Sequence, residues 1–283
     1  MKNVKKRDER ILKSSLSSLI KKFSKNDVIA EMEKEYSQSP SKNIPLSLID
    51  DNAFVKRVKI PGEIIDRFAL NIKEKGLYTP LVVRPVGNHY ELILGRKRFY
   101  GTKKAGFKVL PCAIAKVGDE ETLLMLLADT RDQRESNVVE MALLCQALSD
   151  KYHYTQQTLG NLTHQSRCQI TNIMRILRLP EAVLQDMCIG KLSYGHAKAI
   201  VSLSQQEIEE IVQMIYEHHL SVREVERIAK RYANKSRPSS LEEDVLSNSY
   251  GASNVDIKKK SVTFSFDSDV GKRAFLNQIA KKQ

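Results

Sequence analysis

The stretch from Tyr154 to Leu177 constrains this chain more than any other, because its caps, small residues and apolar residues fit two short helices joined by a tight turn. Thr155 is placed to cap a helix carrying Leu159 and Leu162. Gly160 leaves room where a second helix must cross closely. His164 and Gln165 form the turn, with His164 where a left-handed residue is expected; His is among the non-glycine types that tolerate that region. Ser166 caps the second helix, in which Ile170, Ile173, Met174 and Leu177 share one apolar face. Beside the Ser166 hydroxyl, the opposite face presents Arg167, Gln169, Thr171, Asn172 and Arg175. Such donors read base edges in the major groove or grip phosphates. Any tight helical pair can mimic this pattern. A face rich in Arg, Gln and Asn and poor in Glu favours DNA contact over a merely solvated surface.

Charge points the same way. The 283 residues carry a net charge of +12 with a pI near 9.4, which suits a polyanionic partner because neutralised phosphates release counterions. A solvated basic surface is the alternative reading of charge alone. Aromatic residues make up 6% with no Trp, so base stacking on aromatics is not expected to dominate. Cys112, Cys145, Cys168 and Cys188 form no closely spaced pair and sit in apolar or helical stretches, which fits reduced structural thiols. No run reaches the ~18 apolar residues of a membrane-spanning helix, and the basic N-terminus lacks a signal peptide's apolar core. The expected location is cytoplasmic and nucleoid-associated.

The length suits two domains or three small ones. Residues 1–43 read as a basic N-terminal tail with an amphipathic helix and a linker. Its first 25 residues hold nine Lys and Arg, with Leu12, Leu16, Leu19, Ile20 and Phe23 at helical spacing. Docking on a partner protein, lying on a membrane surface and packing on the chain's own body are three open readings. Residues 44–135 read as an α+β domain. It holds a strand over Ile44–Ile49, a helix from Pro61 to Gly76, strands at Leu81–Val83 and Tyr90–Leu94 around a Gly87-Asn88 turn, a helix between Gly95 and Gly106, and a strand at Val109–Ala115. Residues 136–235 read as all-α, with Ser221 and Glu224 forming a capping box. Residues 236–252 form a linker, and 253–283 a small βα unit with one strand, Val262–Phe266. That unit is too small to bury its apolar face alone, so dimerisation is expected.

Residues Gly190-Lys191-Leu192-Ser193-Tyr194-Gly195-His196-Ala197-Lys198-Ala199 closely resemble the GKLSxGHARAL signature of ParB-type partition proteins. Lys191 and Ser193 bring phosphate-seeking donors to a helix start, and Lys198 follows on the same segment. Asp51–Arg57 resembles that family's NPxQPR segment, Gly76–Arg84 its GxxQPIxVR segment, and Leu220–Glu226 its helix after the DNA-binding region. The tail resembles its dimerisation unit. The resemblance implies an α+β ParB-type N-terminal domain, an all-α helix-turn-helix domain and a βα dimerisation tail. It further implies a homodimeric clamp that loads on double-stranded DNA at a palindromic centromere-like site, with a ParA-type ATPase engaging the N-terminal tail.

The family also binds CTP with magnesium and hydrolyses it slowly, and here the boxes depart from its pattern. Gly95-Arg96-Lys97-Arg98-Phe99-Tyr100-Gly101 stands where the family has GERRxRA, with Arg96 replacing Glu and Tyr100 replacing Arg. Thr130-Arg131-Asp132-Gln133-Arg134 stands where it has ENxQR. Arg131 cannot ligate magnesium, which takes oxygen ligands; Asp129 and Asp132 are the nearby carboxylates. The resemblance places a nucleotide near Thr79, Gly95, Arg96, Lys97, Arg98, Gln133 and Arg134. The same basic residues also suit contacts to DNA or to a neighbouring subunit. A nucleoid-occlusion or transcriptional regulatory factor of the same fold is the alternative function. A nuclease is disfavoured, because the six His residues are scattered and no metal-binding set of carboxylates stands out.

Arg167→Ala is expected to weaken binding to the specific site by roughly 1–3 kcal/mol if that side chain reads a base. Equal loss on random DNA in a titration would assign it to phosphate instead. Deleting residues 241–283 is expected to yield a monomer by light scattering, and a truncated chain that remains dimeric refutes the assignment of the tail.

Overall fold

A computed structural model describes residues 21–23, 41–133, 137–235, 249–258 and 261–280. The linker residues Tyr36–Pro40 and Arg237–Ser240, and Arg134, lie outside the described residues. The chain divides into two compact units, residues 1–226 and 227–283.

The first unit opens on a five-stranded sheet. Strands β1 (Lys42–Pro45), β2 (Ile49–Asp50), β3 (Leu81–Val86), β4 (His89–Leu94) and β5 (Val109–Ile114) lie in the order β1-β5-β3-β4-β2. β1 with β5 and β3 with β4 are antiparallel, whereas β3 with β5 and β2 with β4 are parallel. The single strand expected over Ile44–Ile49 is broken. Pro45, which has no N–H for a ladder, ends β1, and a 3-10 turn at Leu46–Leu48 leads into β2. That turn carries the chain from one edge of the sheet to the other. Four Cα steps span at most about 14 Å, whereas four flat inter-strand spacings measure about 19 Å. The sheet must therefore curl until its edges approach. Leu81, Val82 and Val83 at its centre are 0–2% exposed, and the core is built from Ile44, Ile49, Leu81, Val83, Leu92, Phe99, Leu110 and Cys112.

Helix α1 (Gly62–Lys75) packs on α2 (Arg96–Ala105), and Gly101 makes that approach possible, because a Cβ there would stand 2.8 Å from the Phe68 Cβ. α2 starts at Gly95 (φ 95°) and stops at Gly106 (φ 85°), both left-handed. Next comes α3 (Asp119–Asp132), in which every residue from Leu123 to Ala128 is 0–3% exposed. A helix apolar all round belongs in an interior, and α3 touches β4 on one side and the next two helices on the other. The helices after α3 are α4 (Val138–Tyr152), α5 (Gln156–Thr163), α6 (Arg167–Arg175), α7 (Glu181–Cys188), α8 (Tyr194–Ile200), α9 (Gln205–His218) and α10 (Val222–Lys235). The Ser221–Glu224 capping box forms as expected, with Ser221 N–H donating to Glu224 at 2.8 Å. Residues 21–23 are helical; Phe23 is 1% exposed, so this end of the tail packs on the chain's own body.

The second unit departs from the single strand read in the sequence. β6 (Asn254–Lys258) and β7 (Ser261–Ser265) form an antiparallel hairpin, followed by α11 (Asp269–Ala280). Asn254, Asp256 and Lys258, all of low β propensity, alternate with Val255 and Ile257, which is why the first strand is hard to read. Tyr250, Phe264, Phe266 and Phe275 form an aromatic cluster with centroids 4.6–5.6 Å apart. Val262, Val270, Leu276 and Ile279 remain exposed. Of the four thiols, Cys112, Cys145 and Cys188 are buried, with Cys145 pushed up to about 12 by burial. Cys168, within α6, is exposed.

Candidate functional site

Helices α5 and α6 form the expected helix-turn-helix. Thr155 Oγ1 accepts from the Thr158 N–H at 3.1 Å and starts α5. His164 adopts φ 56° at its end, and the Gln165 N–H closes on Gly160 O at 2.9 Å. A Cβ on Gly160 would lie 2.6 Å from the Gln165 carbonyl, so only glycine allows this turn unshifted. Ser166 and Gln169 make a reciprocal capping box on α6, which fixes the start of the second helix. Ile170 and Ile173 bury the opposite face, together with Ile176 just beyond the helix.

This geometry sorts the expected base readers. Ser166, Arg167 and Gln169 are exposed, and Thr171, Asn172 and Arg175 are half-buried. Gln169 spends its amide oxygen on the cap, leaving its amino group for a partner. The Thr171 hydroxyl donates to Gln156 Oε1 and to Arg167 O, so it braces α6 against α5. Arg167 holds the first position of α6 and is exposed.

The segment after α7 is held by Asp186. Its carbonyl accepts from the N–H groups of Lys191 and Leu192 at 2.9 and 3.3 Å, and its carboxylate takes the Tyr216 hydroxyl at 2.6 Å. Leu192 is buried beneath this loop, while Lys191, Ser193 and Lys198 are exposed. Ser193 caps α8 through the His196 N–H at 3.4 Å.

The residues expected around a nucleotide fall into three groups. Lys97 and Gln133 line one cavity of about 470 Å³, together with Asn137, Glu140 and Ser193. Arg98 donates to the Thr79 carbonyl at 2.9 Å and folds over Gly95, so Thr79, Gly95 and Arg98 form a second group. Arg96 points inward: its Nε lies 2.9 Å from Asp51, its Nη2 donates to Val58 O at 2.8 Å, and the residue is 9% exposed. Asp51 also accepts the Tyr100 hydroxyl at 2.7 Å. The two departures in the first box, Arg96 and Tyr100, thus share one carboxylate. Asp129 accepts from Gln133 Nε2 at 2.9 Å, and Asp132 is ion-paired with Arg131. Among the described residues no three His, Cys, Asp or Glu converge to hold a metal.

Two wall residues escaped the sequence reading. Asn137 caps α4, its Oδ1 accepting from Val139 N–H at 3.0 Å. Glu140 follows at the third helical position and lines the cavity. Asn137-Val138-Val139-Glu140 reads as a helix start, which was the available signal. Burial pushes the Glu140 carboxyl above the ordinary carboxylate range, against the opposing pull of Arg96 and Lys97.

Known proteins resemble the chain over most of its length. The ParB N-terminal domain family matches residues 30–130, and the ParB HTH domain family matches residues 134–234. A "Probable chromosome-partitioning protein ParB" of Campylobacter jejuni is 33% identical over 232 residues, covering 82% of each chain. Its counterpart in Pseudomonas putida is 28% identical over 215 residues, covering 76% of this chain and 74% of that protein. A C-terminally truncated ParB from Caulobacter crescentus, complexed to the centromeric parS site, is 27% identical; the match covers 68% of this chain and all of that one, with a TM-score of 0.42. Among the described residues no helix is long and apolar enough to cross a membrane.

Because its carboxyl titrates above its unfolded value, Glu140 contributes stability in its neutral form at low pH. That contribution is lost as pH rises from the ordinary carboxylate range through the raised value. Glu140→Gln, neutral at every pH, is expected to flatten the fall in melting temperature over that window. Calorimetry that gives the variant the wild-type pH profile would refute the buried-carboxyl assignment.

Proposed function

Because the chain belongs to the ParB family of chromosome-partitioning proteins, we propose that it binds a centromere-like DNA site and acts there as a CTP-gated dimeric clamp. One observation carries the gating half of this reading. One cavity is lined both by Lys97 and Gln133 and by Gly190, Leu192 and Ser193 of the loop before α8. A ligand seated there touches the loop that presents Lys191 to DNA, so occupancy and DNA affinity are linked through one structural element.

The residues present fit a nucleotide. The cavity falls within the usual range for small-molecule sites, roughly 300–1,000 Å³. Lys97, in the first turn of α2, supplies a cation for phosphate. Magnesium is commonly held by one or two carboxylates plus substrate phosphates. The Glu140 carboxylate would be its protein ligand, as the carboxylate that lines the cavity. When bound, the metal would supply positive charge against the phosphates. Arg96 contributes by holding Asp51 and the Val58 carbonyl, which orders the cavity wall.

On the DNA side, Arg167 and Asn172 would read bases with the free amino group of Gln169, and Lys191, Ser193 and Lys198 would hold the phosphate backbone. The exposed Val270, Leu276 and Ile279 of α11 would meet a second copy of the chain. A ParA-type ATPase is the expected partner of the N-terminal tail. The membrane-bound alternative is not favoured, because Phe23, the one large aromatic on the tail's amphipathic face, is already buried.

The test is CTP binding and turnover by the full chain, with and without a DNA duplex selected from a random pool. Turnover stimulated by the selected duplex is expected. Lys97→Ala should weaken CTP binding by about tenfold or more, the scale of one charge-assisted hydrogen bond. No measurable CTP affinity under either condition would sink the nucleotide reading and leave a static DNA binder.

A further inference from the structure

Arg131 is the residue of the second box that departs furthest in chemistry from the family segment it resembles, and it faces away from the cavity. Its side chain is 6% exposed at the end of α3. Its Nη1 donates to the Leu162 carbonyl at 2.8 Å and to the Phe23 carbonyl at 3.2 Å, while Nη2 donates to Asp132 at 2.9 Å. Leu162 lies in the last turn of α5, two residues before the left-handed His164. Carbonyls in a last helical turn lack intrahelical partners and carry the negative end of the dipole. A guanidinium, with its planar fork of donors, can serve two such acceptors and a carboxylate together; an ammonium cannot match that geometry. One buried side chain therefore gathers three segments: the tail at Phe23, the end of α3, and the end of the first helix of the DNA-reading pair.

We propose that Arg131 is a positioning residue for the α5–α6 pair, and that through it docking of the tail at Phe23 sets the affinity of that pair for its DNA site. The proposal rests on the reading of α6 as the DNA-contacting helix. Leu162 is fastened on one side by Arg131 and continues on the other into the turn closed by Gln165 N–H on Gly160 O at 2.9 Å. Freeing the Leu162 carbonyl loosens the last turn of α5, on which the entry angle of α6 depends. Phe23 is 1% exposed, so its side chain anchors the carbonyl that shares the same guanidinium nitrogen. A partner that draws the tail away would remove one of the acceptors holding Arg131 in place.

The experiment compares full-length wild type, Arg131→Ala, Arg131→Lys, Phe23→Ala and the double Arg131→Ala/Phe23→Ala variant. It reads hydrogen exchange at the amides of residues 162–166, and affinity for a selected duplex and for random-sequence DNA. Arg131→Ala should speed exchange in that turn and weaken selected-duplex binding by about tenfold, the scale of losing one base contact. Binding to random DNA should change little, and Arg131→Lys should recover part of the loss. Phe23→Ala should shift the same readouts, and the double variant should show less than the sum of the two. Unchanged exchange and unchanged selected-duplex affinity in Arg131→Ala, or in Arg131→Lys should the alanine variant not fold, overturn the proposal. Strictly additive effects overturn the role of the tail. A wild type that prefers no duplex defeats the DNA reading itself, and the exchange data still decide whether Arg131 positions the turn.

Discussion

Burial of α3 is the constraint on which the rest of the first unit depends. Six consecutive residues, Leu123 to Ala128, are almost fully removed from water. Each large side chain among them contributes about 1.5–3 kcal/mol relative to exposure, before the conformational entropy that opposes all folding. No amphipathic arrangement satisfies such a helix, so partners must surround it. The curled sheet covers it through β4, and α4 and α5 cover the remainder. The DNA-reading pair is therefore not an appendage on a linker, because its first helix is part of the packing that makes α3 stable.

The polar groups at the edges of this core follow from the same enclosure. Arg96 at 9% exposure needs a partner, and it finds Asp51 and a backbone carbonyl. Arg131 lies in the last turn of α3 and finds the ends of neighbouring segments. Glu140 lies where burial disfavours its charge, while Lys97 and Arg96 pull the other way. These opposed influences make it the carboxylate most sensitive to whatever occupies the cavity.

Much of this was legible in one dimension. The caps Thr155, Ser166, Ser193 and Ser221 act within three residues, so local sequence identified them. The left-handed His164 and the crowded Gly160 are likewise local consequences of a five-residue turn. The strand break at Pro45 and the first strand of the hairpin, β6, were missed. The first depends on a sheet that curls, and the second on a partner strand that rescues a segment of low β propensity.

The sequence by itself determined most of the elements, the helix-turn-helix and the family, because periodicity, capping and motif spacing act over a few residues at a time. Only the tertiary structure decided which side of each residue matters. It turned Arg96 inward to Asp51, gave Thr171 to Gln156, gathered Phe23 and Leu162 onto Arg131, and set Glu140 opposite Lys97 in one cavity. Those pairings join residues up to 108 positions apart. They are selected by burial, which obliges each charged or polar group to find a partner that chain neighbours cannot supply.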